Sequence, residues 1–233
     1  NELYERFPQL TLFYTAFSKK QAMEAESKMK YGNSGTIHSA IGWRAIKDTY
    51  PGTHINAGKY NKWDDLAKRF VPESDDRKEE GANYHLRYVL KEMAEKAMFS
   101  LIDPFDHDQL DEIGTRYNID YMDVRAQLFN IIPELIQASI DMIDEEVYYP
   151  DMLYAPIMCP EVTINVPFYE LVIVDEVQDL NAAMHEMVLL SVGIVSDRVR
   201  DLQLHLSHRF GFISDGAIAD FSGEPTGQVA IIG

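Results

Sequence analysis

Tyr169–Asn181, YELVIVDEVQDLN, is the stretch whose reading decides the fold. Leu171-Val172-Ile173-Val174 is a short apolar run, mostly β-branched and without polar alternation. Such a run predicts a strand buried on both faces, as in a parallel sheet. It leads straight into Asp175 and Glu176. In open α/β sheets, ligands bind outside the carboxyl ends of the strands. Side chains alternate along a strand, so one acid of the pair can face a metal ion and the next a reacting water. A nucleotide hydrolase needs that pairing. A plainer reading stands beside it: a charged strand end followed by a helix N-terminus, where the dipole favours acids.

Upstream, Leu10–Thr15 is a second candidate strand. It gives way to a helical pattern with Ala22, Met23, Ala25 and Met29 on one face, and Ser18 as its N-cap. A Gly/Asn/Ser turn, the segment Thr36–Ser39 and a short helix carrying Ile41, Ala45 and Ile46 follow. Residues 48–63 read as loop or linker. Between Asp64 and Glu146 the texture changes. NYHLRYVLKEMAEKAMFSLI (83–102) is an amphipathic helix with Leu86, Val89, Leu90, Met93 and Ala97 on one side. RAQLFNIIPELIQASIDMIDEE (125–146) is another, interrupted or started at Pro133. The acidic DPFDHDQLDEIG (103–114) lacks the ligand ladder of a calcium loop and reads as a solvated turn and helix start. From YYPDMLYAPI (148–157) onward, strand and helix patterns alternate again.

The expected organisation is therefore an α/β protein with a helical insertion: residues 1–60, an all-α block at 61–148, and a return to the α/β part at 149–233. The net charge of −17 argues against a broad nucleic-acid face, though not against a narrow groove lined by a few cations and aromatic rings. Cys159, the single cysteine, excludes an internal disulfide framework and points to a cytoplasmic protein. No stretch reaches the roughly 18 apolar residues of a membrane helix, and NELYERFPQL is no signal peptide. Trp43 and Trp63 suit core packing better than base stacking.

At VDEVQDLN (174–181) the sequence resembles the Walker B box of superfamily 1 DNA helicases of the UvrD/Rep type. Further matches follow the family's order. YTAFSKKQAMEAESKM (14–29) resembles its first DNA-contact motif, and TIHSAIGWRAI (36–46) its T-x-H-S element. YYPDMLYAPI is similar to the segment that precedes Walker B in one branch. LSHRFGFISDGAIAD (206–220) resembles the motif whose arginine reaches the γ-phosphate. The resemblance implies a RecA-like P-loop NTPase core, a parallel sheet flanked by helices, with ATP and Mg²⁺ as cofactors and single-stranded DNA as partner. It assigns Asp175 to the metal and Glu176 to general base catalysis. Gln178 would contact the γ-phosphate region, and Arg209 would act as arginine finger. Phe17, Ser18, Lys19, Thr36, His38 and Ser39 would meet DNA.

The chain departs from that pattern in two places. It contains no G-x-x-x-x-G-K-[ST] loop, and no GDPxQ-like element lies between Ser191 and Leu202. The core is thus expected to be incomplete, through truncation, degeneration or residues that lie outside this sequence. Two functions fit: part of an ATP-driven helicase, or a non-catalytic remnant that binds DNA or a protein partner through its acidic helical insertion.

Overall fold

The computed structural model describes residues 6, 9–16, 18–29, 32–56, 62–210 and 228–232. It divides into two compact units, residues 1–51 with 152–233, and Gly52–Asp151. The chain is α/β, with a small parallel sheet flanked by helices.

In the first unit, β1 (Leu12–Thr15) pairs in parallel with β2 (Asn33–Gly35) on one side. On its other side it pairs with the strand of the opening stretch, Leu171–Asp175, with Thr15 opposite Val174. Helix α1 (Lys19–Lys28) follows β1 and packs on it and on β2. Ser18 caps α1 through a reciprocal box. Its Oγ accepts from the Gln21 amide at 3.2 Å, and its own amide donates to Gln21 Oε1 at 3.0 Å. Of the apolar face expected on α1, Ala22 is buried and Met23 is exposed.

Residues Ile37–Trp43 form a π-helical turn that runs into α2 (Arg44–Thr49). The turn lies tight against Met152, because a Cβ on Gly42 would come 1.8 Å from the Met152 carbonyl oxygen. Only glycine admits that approach.

The second unit packs α3 (Lys62–Phe70), α4 (Arg77–Ser100), α5 (His107–Arg116) and α6 (Arg125–Ile140) around one core. The face expected on α4 is buried from Leu86 to Ala97. Asp76 starts α4 by accepting from the Lys78 and Glu79 amides, both at 2.9 Å. Asp106 does the same for α5, so the acidic turn there is a helix start. Two expectations are corrected. Helix α6 runs straight through Pro133, whose ring lies in the core where burial offsets the lost N–H bond. The unit is also not wholly helical, since β3 (His54–Ile55) and β4 (Glu146–Val147) form a short parallel ladder.

Beneath that ladder lies a buried polar cluster. Lys62 Nζ meets Asp151 Oδ2 at 2.9 Å, with both side chains fully out of solvent. Lys62 also donates to the carbonyls of Ser139 (2.7 Å) and Glu146 (2.8 Å). Ser139 Oγ donates to Asp151 Oδ1 at 2.7 Å and accepts from Trp63 Nε1 at 2.9 Å. The Tyr148 amide completes the set on Asp151 Oδ2 at 2.7 Å. Trp63 is therefore a core residue.

Asp151 stands in the first turn of α7 (Tyr149–Met158), which leads into α8 (Pro160–Thr163) and β5 (Leu171–Asp175). After β5 come α9 (Ala182–Leu190), α10 (Asp197–Phe210) and β6 (Gln228–Ile232). The sheet order is β2-β1-β5-β6, with every described pair parallel. β5 departs from the expected burial. Val172 and Val174 are buried, but Leu171, Ile173 and Asp175 are half-exposed. A groove of about 440 Å³, bordered by Tyr14, Asp175 and α1, opens on that face. Residues 202–210 belong to α10. Cys159 is buried and free. No helix among the described residues is long and apolar enough to cross a membrane.

Candidate functional site

The carboxyl ends of β1, β2 and β5 lie in register, with Thr15 opposite both Gly35 and Val174. Parallel strands bring their following loops to one edge. The sheet therefore gathers Thr36, Ala16 and Asp175 from distant parts of the sequence. They border a narrow cleft of about 10 Å³, together with His38, Leu180 and Met184. Asp175 borders the larger α1 groove as well.

Asp175 is half-exposed. Its Oδ2 accepts a hydrogen bond from the Tyr14 hydroxyl at 2.6 Å. Burial, and then the adjoining Asp175 carboxylate, push the Tyr14 phenol up to about 12. That group is a neutral donor at physiological pH. Among the described residues, the Asp175 side chain has no other hydrogen-bond partner.

Immediately after β5 the backbone turns sharply. Glu176 adopts the left-handed region, φ 55° and ψ 50°. A non-glycine residue held there costs on the order of 1–3 kcal/mol, and such outliers gather at functional sites. Glu176 therefore lies past the end of β5, where strand alternation no longer sets its direction. The Asp179 amide closes the turn onto the Glu176 carbonyl at 2.9 Å. The Gln178 side-chain amide donates to Glu176 Oε2. Asn181 then caps α9 through the Met184 amide at 2.8 Å. The DEVQDLN string is thus one acid on the strand end, one acid on a strained corner with Gln178 bound to it, and a helix cap.

The T-x-H-S residues form their own cluster. Thr36 Oγ1 lies 2.7 Å from Ser39 Oγ and 3.3 Å from His38 Nε2. Burial lowers the His38 pKa, which favours the neutral ring. A neutral ring can meet a phosphate or a water as a hydrogen-bond donor. Ser18 is engaged in capping α1. Lys19 and Lys20 are exposed at the start of that helix and make no salt bridge with a described residue.

The structure brings Asp175, Glu176, Gln178, Thr36, His38 and Ser39 to one edge of the sheet. Phe17 lies outside the described residues. Arg209 sits on the last turn of α10, exposed, on a helix and not behind a strand. Residues 211–220, the rest of that motif, also lie outside the described residues. Two features escaped sequence reasoning. Tyr14 reads as one more apolar strand residue until the register with β5 is known. The strand beside β5 is QVAII (228–232), with Ile232 opposite Asp175. The apolar run Val229–Ile232, with β-branched Val229, Ile231 and Ile232, carried that signal in the sequence.

Comparison with known proteins adds no family: no protein-family model matches the chain, and no curated protein matches it.

Proposed function

We propose that the chain is part of the first RecA-like core of a superfamily 1 DNA helicase of the UvrD/Rep type, a motor that couples ATP hydrolysis to movement along single-stranded DNA. The observation that supports this reading best is the shared cleft. A Walker-B-like Asp175 and the T-x-H-S residues Thr36 and His38, far apart in sequence, border one opening at the carboxyl edge of a parallel sheet.

The residues present fit Mg²⁺ with a nucleotide. Mg²⁺ binds through one or two carboxylates and otherwise through phosphate oxygens and water. Asp175, half-exposed with one protein partner, suits that role. No group of three or more metal-ligating side chains gathers among the described residues, and this kind of site does not need one. When bound, Mg²⁺·ATP supplies the phosphoryl group and a cation that neutralises its charge. In this reading Asp175 holds the cation and Glu176 takes the proton of the attacking water. Gln178 orients the Glu176 carboxylate. Arg209 meets phosphoryl charge. Lys19 and the Thr36–His38–Ser39 cluster meet the DNA backbone, and Phe17 stacks on a base.

The 233 residues contain no G-x-x-x-x-G-K-[ST] loop, and a second reading is a module that binds DNA or protein without catalysis. Two measurements separate the readings. The first is ATP turnover by the 233-residue chain with Mg²⁺ and single-stranded DNA. The missing phosphate cradle predicts none, and turnover that Glu176→Gln abolishes would make the chain a hydrolase in its own right. The second is fluorescence anisotropy with a labelled oligonucleotide. The motor reading expects weak binding that falls steeply with salt and weakens further in Phe17→Ala and Lys19→Ala. Binding that both substitutions leave unchanged removes the proposed DNA path. Undetectable binding at low salt favours a protein-binding module.

A further inference from the structure

We propose that Tyr14 is a positioning residue for the Asp175 carboxylate, holding it by Oδ2 so that the opposite oxygen meets a divalent cation. The proposal rests on the reading of Asp175 as a cation ligand. Its basis is geometric. Tyr14 stands opposite Ile173 in the parallel register of β1 and β5. Ile173 and Asp175 are two apart on β5, so they face the same side of the sheet. The Tyr14 ring lies along that side and its hydroxyl reaches Asp175 at 2.6 Å, within the range of a charge-assisted O–H···O⁻ bond.

Packing alone does not call for that hydroxyl. The neighbouring Phe13 fills its place on the other face with a plain ring, stacked on Tyr169 at 4.9 Å between centroids. At Tyr14 the ring carries a donor, and the donor ends on the acid. An aspartate at a strand end has two free side-chain torsions. A hydrogen bond from a stiff aromatic side chain, itself half-buried in the sheet, removes that freedom. The groove of about 440 Å³ opens beside the pair, between Asp175 and Gln21, Glu24 and Lys28 of α1. It has room for a cation with its remaining water ligands. Residues that orient a ligating carboxylate from behind set metal affinity by about 10–100-fold.

The test is iron-directed backbone cleavage of the 233-residue chain. Fe²⁺ replaces Mg²⁺, ascorbate and peroxide generate the cutting radical, and fragments are mapped by mass spectrometry. The unaltered chain should be cut near Asp175 and the facing end of β1, with Mg²⁺ suppressing the cut. Asp175→Asn should abolish this local cut. Tyr14→Phe should need at least ten-fold more Fe²⁺ for half-maximal cutting, and Tyr14→Leu, which also lacks a donor, should show the same shift. Thermal melts by circular dichroism confirm that each variant is folded. If Asp175→Asn loses the cut while a folded Tyr14 variant keeps the original half-point, the role of Tyr14 is refuted and the cation reading of Asp175 stands. If the unaltered chain shows no cut there, or Asp175→Asn keeps it, the cation reading falls and this proposal falls with it.

Discussion

Asp151 lies in the first turn of α7 with its side chain wholly out of solvent, whereas Asp175 stands half-exposed at the end of β5 beside two clefts. Asp151 has three hydrogen-bond donors from three parts of the chain: Lys62 Nζ, Ser139 Oγ and the Tyr148 amide. Among the described residues Asp175 has one, the Tyr14 hydroxyl. A carboxylate removed from water must have its charge and lone pairs met by the protein. One that keeps contact with water need not, and its unused lone pairs remain available to a ligand. The difference separates an acid that holds a fold from an acid that can hold a ligand, and sequence alone treats both as Asp in an apolar setting.

Substitutions can break or sharpen that contrast. Asp151→Ala strands the Lys62 ammonium in the core and should cost about 3–5 kcal/mol of stability, read by chemical denaturation. A loss below about 1 kcal/mol would mean that water reaches the cluster and that its burial is not what sets it apart. Ser139→Ala removes the donor to Asp151 Oδ1 and the hydroxyl that accepts from Trp63 Nε1, for about 1–3 kcal/mol. The double variant Asp151→Ala/Ser139→Ala should lose less than the sum, because the two share a network.

Asp111 falls between the extremes. Hydrogen bonds from Arg125, at 2.9 Å and 2.5 Å, hold its pKa below the usual carboxylate range, with a smaller contribution from Tyr121. A depressed carboxylate contributes stability that is present above its unfolded pKa and lost as pH falls through its folded one. The second unit should therefore weaken below about pH 4, and Asp111→Asn should flatten that acid limb in melts taken from pH 5 to pH 3. An unchanged limb would show that the Arg125 contact adds nothing in solution.

The smallest effect is expected at Asp175. Asp175→Asn should shift stability by less than about 0.5 kcal/mol, as at a site with few obligations, while abolishing the local iron cut. A stability loss as large as that of Asp151→Ala would erase the contrast.

The same two acids show how far the sequence can be read. The parallel strand ending on Asp175 is legible because β-branched apolar residues seldom run unbroken elsewhere. The α4 face and the Ser18 cap are legible because they repeat at local spacings. The Tyr14–Asp175 bond is not, because it depends on a register between strands far apart in the chain. Lys62 and Asp151 look like surface charges for the same reason, since neither carries a local sign of its partner. Pro133 misleads because tertiary burial overrides its local preference. The left-handed Glu176 lies beyond the reach of composition, as no glycine or asparagine marks it.

The short ladder between β3 and β4 has a consequence for how the sheet is assembled. Thr11 and Glu170, joined at the start of the β1–β5 pairing, are 159 residues apart in the chain. Bringing such distant segments together costs loop-closure entropy before any contact repays it. If the second unit forms first, pairing of His54–Ile55 with Glu146–Val147 turns its whole length into a closed detour. The slack left between β1 and β5 is then roughly two fifths of the full separation, which lowers the closure cost by about 0.8 kcal/mol. Formed in that order, the insertion is a splice that brings the two strands of the candidate site within reach of each other.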